Sequence, residues 1–179
     1  KLLGVLECPH CHAPLNVSVD DENENEIRQG RLICAGVPEH VYEINAGIIH
    51  FATGFDHEAV KSEIAYEKST YTGDARLTNV ELIANFPETL AEIWPHTKNF
   101  GIDFKGLIKH LNVKPDSWIL DIGTGACWSS RLLAQQGGNV VAIDVNDANF
   151  CGLKASDIMF DAHNVYFDRI LESMNNLPF

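Results

Sequence analysis

The strongest constraint on the fold is a pair of apolar runs in the second half of the chain, separated by a glycine-containing loop and a helical segment. The runs cover residues 118–122 and 139–144, and apolar spacing at 128–136 predicts a helix between them. A further helix is predicted over about 147–163, and residues 165–167 begin a third run. Strands that alternate with helices are typical of βαβ units, so this region predicts a parallel α/β sheet.

The loop after the first run has the composition of a nucleoside-binding turn. Gly123 and Gly125 allow a sharp turn and a close approach of a ligand to the main chain. Asp144 ends the next strand, where a carboxylate can accept hydrogen bonds from both ribose hydroxyls. A dinucleotide fingerprint would need glycine at Trp128, and the Gly-Lys-Ser/Thr of a P-loop is absent. The pattern therefore predicts an adenosine-like ligand, with a plain turn as the alternative.

Residues 120–128 resemble motif I of the class I S-adenosylmethionine (SAM) methyltransferases. Asp144 matches that family's acidic ribose-binding residue, and residues 173–179 resemble its next block, commonly Asp-x-x-x-Leu-Pro-Phe. The resemblance spans residues 66–179 and implies a Rossmann-like fold with SAM as the cofactor. The cofactor-binding residues that it implies are Asp121, Gly123, Gly125, Cys127, Asp144, Ser173, Met174 and Tyr71.

Several of these positions also have a structural alternative. Cys127 replaces the family's third glycine, and it suits a small buried side chain as well as a loop position. Ser173 replaces the acid that contacts adenine, a contact that its hydroxyl or the Met174 backbone would then make. Asp121 can organise the loop backbone as well as neighbour the methionine amino group. Tyr71 is the better of two aromatic candidates ahead of motif I, and packing on the sheet is its alternative.

A Cys-x-x-Cys knuckle near the start of the chain predicts a metal site. Cys8 and Cys11 lie on one tight turn, and a closed tetrahedral zinc site needs two further ligands. Cys34 lies on a returning strand, and His40 is the best fourth ligand because Val37 occupies the position where a cysteine is usual. The alternatives are a ribbon that has lost its metal and a redox pair, which is less favoured because no helix follows the knuckle.

Residues 1–52 form the predicted unit around this metal site. A unit so small cannot bury a core large enough to be stable alone, and a metal ion is the usual remedy. His40 and Tyr42 resemble the His-x-aromatic step of the zinc ribbon in bacterial ribosomal-RNA guanine-N1 methyltransferases. Short strands are predicted at residues 15–19, 31–34, 41–44 and 48–51.

The predicted architecture has three parts. Residues 1–52 form a small β zinc ribbon, 53–115 a helical connector, and 116–179 the N-terminal half of a Rossmann-like SAM-binding domain with a parallel sheet. The chain is expected to stop after the third strand, before the segments that normally position the methyl acceptor, and no catalytic residue is identified. The first strand of the parallel sheet would then be an open edge, available for self-association.

Charge narrows the possible acceptors. The chain carries 25 Asp and Glu against 13 Lys and Arg, for a formal net charge of -12. This balance favours a small-molecule or protein acceptor over a nucleic acid. Cysteine usage and the lack of a leader or an apolar span predict a cytoplasmic protein with no membrane segment. The predicted function is transfer of the SAM methyl group to an unidentified acceptor, and the alternative is a non-catalytic SAM-binding or protein-interaction module with a zinc ribbon.

Overall fold

The computed structural model describes residues 1–53 and 57–179. Within the first helix, eight side chains also lie outside this description: His57, Ala59, Glu63, Glu67, Lys68, Thr70, Tyr71 and Thr72. The strands are β1 (Leu15–Glu22), β2 (Ile27–Cys34), β3 (Val41–Asn45), β4 (Ile48–His50), β5 (Trp118–Ile122), β6 (Asn139–Asp144) and β7 (Asp168–Leu171). The helices are α1 (His57–Gly73), α2 (Val80–Ala84), α3 (Leu90–Ile93), α4 (Phe100–Leu111), α5 (Trp128–Ala134) and α6 (Ala155–His163).

All seven of these strands belong to one mixed sheet, in the order β1-β2-β3-β4-β7-β6-β5. Strands β1 to β4 follow one another as an antiparallel meander, whereas β4–β7, β7–β6 and β6–β5 pair in parallel. The mixed α/β class is confirmed. Strands β5, β6 and β7 pair in parallel, but β4 extends this part of the sheet into an antiparallel meander, so the sheet as a whole is not the predicted parallel sheet, and the Rossmann-like class stays a prediction. The division at 1–52, 53–115 and 116–179 stays a prediction.

Strand β4 joins the two halves of the sheet. Its residues Ile48, Ile49 and His50 pair with Arg169, Ile170 and Leu171 of β7. Ile48 and Ile49 are both buried although their side chains lie on opposite faces of the strand. A strand buried on both faces is a central strand, and this explains why its apolar residues are consecutive rather than alternating.

The two faces of the sheet are covered by different elements. On one face, Ile143 and Ile170 belong to a core that includes Leu2 and Leu6 from the start of the chain. On the other face, Ala142 lies in a second core that contains side chains of α5 and α6, among them Leu132, Leu133 and Phe160. The parallel strands therefore have helices on one side and the N-terminal segment on the other.

A fully buried arginine ties the hairpin tip to the helical layer. The guanidinium of Arg169 is within 2.7 Å of Glu26 beside the tip and within 2.8 Å of Asp157 in α6. It also donates to the carbonyl of Ala46 and the hydroxyl of Ser156. A buried guanidinium is stable only when acceptors replace the water it has lost. Removal of either carboxylate partner would leave part of the Arg169 charge uncompensated in a poorly solvated place.

The connector packs on α5 and α6 through a third core. Leu77, Ile83 and Phe86 contact Ala155 and Met159 there. Arg131 of α5 donates to the carbonyl of Phe86 at 2.5 Å, so a polar contact adds to the apolar one. Among the described residues no helix is both long and apolar enough to cross a bilayer.

Candidate metal centre and glycine loop

The four predicted metal ligands come together. One ligand atom from each of Cys8, Cys11, Cys34 and His40 lies within 4.8 Å of the others. The Cys11 and Cys34 sulfurs are 3.3 Å apart, and the Nδ1 atom of His40 is 3.5 Å from the Cys8 sulfur. Zinc binds sulfur at about 2.3 Å and imidazole nitrogen at about 2.0 Å, so one ion can reach all four atoms. The cluster can hold a metal ion such as zinc.

Backbone hydrogen bonds hold the ligands in place. In the knuckle, the amide of His12 donates to the Cys8 carbonyl at 2.8 Å, and the Cys8 amide donates to Ala13 at 3.0 Å. Across the site, the Cys34 amide donates to the His40 carbonyl at 2.9 Å. This bond closes the loop that follows β2, so the third and fourth ligands face the knuckle.

Gly36 makes room for the cluster, a role that sequence reasoning missed. Its amide donates to the Cys34 sulfur at 3.1 Å. A Cβ atom at this position would lie 2.8 Å from the Cys11 sulfur and 3.2 Å from the Cys34 sulfur. Any side chain would therefore occupy the space of the ligand atoms. The signal in the sequence is a glycine two residues after the third ligand.

Tyr42 is a second residue whose role the sequence did not assign. Its buried hydroxyl lies 3.0 Å from the Cys8 sulfur. Burial acts to raise the pKa of Cys8, but hydrogen bonds from the Tyr42 hydroxyl and from the amides of His10 and Cys11 outweigh it and lower the pKa to about 6. Burial and the same contact with Cys8 raise the pKa of Tyr42. Tyr42 therefore stays a donor and favours the thiolate form of Cys8.

Cys11 is affected in the opposite sense. A hydrogen bond from the Ala13 amide acts to lower the pKa of Cys11, but its contacts with the Cys34 and Cys8 sulfurs raise the pKa overall. Adjacent sulfurs resist a second negative charge unless a cation lies between them. A divalent metal ion bound between these sulfurs would offset their mutual repulsion.

The glycine loop between β5 and α5 has three residues in the left-handed region. Gly123, Gly125 and Cys127 have φ angles of 71°, 52° and 63°. The amide of Gly123 donates to the Ile143 carbonyl at 2.8 Å, which keeps the loop against the end of β6. No described atom lies within 4 Å of the place a Gly123 Cβ would occupy, so a ligand can approach the main chain there.

Asp144 connects the end of β6 to this loop. One carboxylate oxygen accepts the Gly125 amide at 2.7 Å, and the other accepts the Asn146 amide at 2.9 Å. The structure thus brings Gly123, Gly125 and Asp144 together at the carboxyl ends of two parallel strands.

Asp121 and Cys127 have structural partners. One oxygen of Asp121 accepts hydrogen bonds from the hydroxyls of Ser129 at 2.7 Å and Ser130 at 2.6 Å, so Asp121 ties β5 to the start of α5. Cys127 is completely buried, and this burial raises the pKa of its thiol to about 12. A buried protonated thiol just before the first residue of α5 fills space, whereas a ligand contact would have to come from the backbone of Cys127.

The segment after β7 lies next to Asp144. The Glu172 amide donates to the Asp144 carbonyl at 3.1 Å. Ser173 is buried and its hydroxyl accepts the Asn175 amide at 3.2 Å, while Met174 is 69% exposed. The side chain of Tyr71 lies outside the described part of the chain.

Glu172 is a further residue that sequence reasoning did not assign. It is buried beside the end of β4, where one of its oxygens accepts both the amide and the hydroxyl of Thr53. Its other oxygen accepts the Ser173 amide at 2.6 Å. Asn176 completes the network by donating to the Thr53 hydroxyl at 2.7 Å. The ends of β4 and β7 are therefore joined through one buried carboxylate.

The metal cluster and the glycine loop occupy the same edge of the sheet. Cys34 ends β2 and His40 precedes β3, and β3 is antiparallel to β4. Strands β4, β7, β6 and β5 are parallel and end at that edge. Neighbouring strands are spaced by about 4.8 Å, so the four strand steps from β2 to β6 separate the two groups by about 20 Å.

Comparison with known proteins leaves this geometry as the basis for a functional argument. No protein-family model matches the chain. A comparison with curated proteins found no match either.

Proposed function

We propose that this chain carries the cofactor site of a SAM-dependent methyltransferase. The observation that carries the proposal is the contact between the Gly125 amide and the Asp144 carboxylate at 2.7 Å. It joins a glycine loop at the end of one parallel strand to an acid at the end of the next. In nucleotide-binding α/β folds, the acid of this arrangement binds the ribose and the loop lies beside the group attached to that ribose. The resemblance of residues 120–128 to motif I supports SAM as that nucleoside.

Each residue has a role in this proposal. Asp144 accepts the ribose hydroxyls, and the main chain at Gly123 and Gly125 approaches the methionine portion. The backbone after Ser173 borders the adenine. When bound, SAM would supply an electrophilic methyl group on its sulfonium for transfer to an acceptor. The chain contributes by holding the cofactor in the orientation that this transfer needs.

The metal centre has a structural role in the same proposal. Three thiolates and one imidazole complete the tetrahedral coordination sphere of zinc and leave no open position for a substrate or water. Zinc bound by Cys8, Cys11, Cys34 and His40 would stabilise the loops at the edge of the sheet.

Calorimetric titration with SAM and S-adenosylhomocysteine tests the proposal. We expect saturable binding by the native chain and at least about tenfold weaker binding by Asp144→Ala, since a charge-assisted hydrogen bond contributes about 1.5–3 kcal/mol. Asp103→Ala in α4, an exposed residue far along the sequence from the loop, is the matched control and should bind as the native chain does. Absence of binding by a folded native chain would overturn the proposal.

A second candidate is a module that binds SAM without turnover. Ser173 favours it, because its hydroxyl already serves a turn and no acid stands at this position. Methyl-labelled SAM separates the two functions when it is incubated with the protein and a cell extract. Label in an extract component supports the enzyme, whereas binding of SAM without any transfer supports the module.

A further inference from the structure

Two cysteines of the metal cluster are in contact with each other but differ in their access to solvent. Cys11 is exposed, whereas Cys34 is only 2% exposed. Their sulfurs are 3.3 Å apart, and the sulfur–sulfur bond of a disulfide is about 2.05 Å long. The two sulfurs would therefore have to approach by about 1.3 Å to form that bond, a shift within the reach of side-chain rotation.

The loop between the third and fourth ligands adds no side chain beside this pair. The place of a Cβ at Gly36 is 2.8 Å from the Cys11 sulfur and 3.2 Å from the Cys34 sulfur, so both sulfurs lie against the same glycine. Its neighbours Ala35 and Val37 are exposed. The pair thus lies at a solvent-facing loop rather than deep in a core.

Cys8, the remaining thiol of the cluster, is placed differently. It is fully buried, and its sulfur lies 3.0 Å from the Tyr42 hydroxyl and 3.5 Å from Nδ1 of His40. A bound metal would hold all three cysteines as thiolates, so access from solvent decides which sulfur reacts first with an oxidant. That sulfur is the one of Cys11, and Cys34 is the neighbour in contact with it.

We propose that Cys11 and Cys34 form a reversible disulfide when the chain meets hydrogen peroxide, and that this disulfide releases the metal. The pair differs from the Cys-x-x-Cys pair, which joins Cys8 to Cys11. The metal-release part rests on the proposed zinc centre. Formation of the disulfide can be measured whether or not the chain holds zinc.

The oxidation proceeds in two displacements. The Cys11 thiolate attacks one oxygen of the peroxide, so a sulfur–oxygen bond forms, the oxygen–oxygen bond breaks, and hydroxide leaves. The Cys34 thiolate then attacks the sulfenic sulfur of Cys11, so the disulfide forms, the sulfur–oxygen bond breaks, and a second hydroxide leaves. The two thiolates lose two electrons, which reduce the peroxide, and two protons from solvent convert both hydroxides into water.

The disulfide would remove two of the four metal ligands at once. Cys8 and His40 would remain, and two ligands hold zinc far more weakly than a complete tetrahedral set. A small thiol would reverse the step by exchange through a mixed disulfide, after which zinc could bind again. Metal occupancy would therefore report the oxidation state of this pair.

Peroxide treatment of the zinc-loaded native chain tests the proposal. Free thiols are alkylated under denaturing conditions, the disulfides are mapped by mass spectrometry, and released zinc is followed with a coloured chelator. We expect a Cys11–Cys34 disulfide, an alkylated Cys8, and release of most of the bound zinc. Dithiothreitol with added zinc should restore both thiols and the metal.

Two variants identify the reacting sulfurs. Cys34→His keeps a nitrogen donor for zinc but removes the second sulfur, so dimedone should trap the sulfenic acid on Cys11. A dimedone adduct on Cys8 instead would overturn the order of reaction. Cys151→Ala removes a cysteine outside the cluster and should release zinc as the native chain does.

The outcomes separate this inference from the proposed function. Zinc that stays bound after peroxide treatment, a disulfide between Cys8 and Cys11, or oxidation to sulfinic acid without a disulfide overturns the inference and leaves the zinc centre intact. A native chain that takes up no zinc overturns the metal centre and the metal-release part together, and a Cys11–Cys34 disulfide in that chain supports the redox pair alone. Titration of the untreated chain with SAM tests the cofactor site separately.

Discussion

Thr53, just after β4, donates both its amide and its hydroxyl to one oxygen of Glu172, just after β7, at 3.0 Å and 2.6 Å. Residues 119 positions apart thereby hold the ends of two neighbouring parallel strands together. Since β4 belongs to the antiparallel meander and β7 to the parallel strands, this buried carboxylate links the half of the chain that carries the cysteine cluster to the half that carries the glycine loop.

Replacement of Glu172 by glutamine should therefore destabilise the whole sheet. The amide would place an NH₂ group against one of the N–H donors that the carboxylate accepts, leaving a buried donor unsatisfied at a cost of about 1–3 kcal/mol. The free energy of unfolding in urea measures this. Glu24→Gln, which makes the same change at an exposed position, should change that free energy by less than about 0.5 kcal/mol. Equal stability of the two variants would contradict the role given to Glu172.

The pairing of β4 with β7 is also the part of the fold that the sequence could not predict. Local patterns predicted the strands of both halves, because alternation and apolar runs are properties of short segments. The third apolar run was placed too early, since the strand predicted to begin at residues 165–167 begins only at Asp168. The pairing of residues 48–50 with 169–171 buries both faces of β4. The residues Ile48 and Ile49 alone do not distinguish this central strand from the last strand of an isolated hairpin. Pairing with a strand that is distant in the sequence leaves no periodic pattern in a strand of only three residues.

The two candidate sites differ in how much of each the sequence could predict. The four metal ligands were predictable because zinc needs particular donor atoms at a short spacing. Gly36 and Tyr42 were not assigned, since their roles depend on the space around Cys11 and on a hydroxyl reaching Cys8. Such supporting contacts arise from the folded geometry rather than from the chemistry of the residue alone.

Loss of one metal ligand should release the metal. The native chain is expected to bind about one equivalent of zinc, and Cys34→Ser should keep well below half after exposure to a chelator, because a water or a neutral hydroxyl is a much weaker fourth ligand than the lost thiolate. Zinc content by mass spectrometry and the midpoint of thermal unfolding with and without a chelator report the effect. Cys151→Ala removes a cysteine outside the cluster and should keep the zinc. A native chain purified without zinc or another bound metal would contradict the centre.

Gly36→Ala should weaken metal binding without removing any ligand. The new methyl carbon would lie 2.8 Å from the Cys11 sulfur, so the thiolates would have to move apart. Zinc affinity measured by competition with a coloured chelator should fall by about tenfold or more, equivalent to about 1.4 kcal/mol.

The control is Gly106→Ala in α4, where no atom lies within 4 Å of the new carbon. That variant should keep its zinc and gain about 0.5–1 kcal/mol of stability from its helical position. Unchanged affinity in Gly36→Ala would show that the site has more room than these distances imply.

His50 should make stability depend on pH in the weakly acidic range. Burial lowers the pKa of His50 below its ordinary 6.5, Lys154 adds to this, and Asp147 and Glu43 oppose it only in part. The unfolded chain therefore binds more protons than the folded chain just below pH 6.5, and the contribution of His50 is complete above that pH and lost as the pH falls towards its folded pKa.

The free energy of unfolding at a series of pH values, compared between the native chain and His50→Phe, isolates this contribution. The phenylalanine ring keeps much of the buried volume but binds no proton, so its curve should be flatter between pH 5 and 7. The other histidines are common to both proteins and cancel in the comparison. Parallel curves would mean that His50 titrates alike in the folded and unfolded chain.

The outer edge of β5 should mediate self-association. No strand among the described residues pairs with that edge, and Trp118, Leu120 and Ile122 on one face of β5 are each between 40% and 44% exposed. An edge strand with apolar side chains offers both unpaired backbone groups and hydrophobic surface to a second copy. Sedimentation at increasing protein concentration should show reversible association that Leu120→Lys reduces, because a charge on this strand opposes pairing. Val19→Lys on β1 at the opposite end of the sheet, also exposed, is the matched control and should associate as the native chain does. A native chain that sediments as a monomer at every concentration, or equal effects of the two lysines, would show that β5 is not the associating edge.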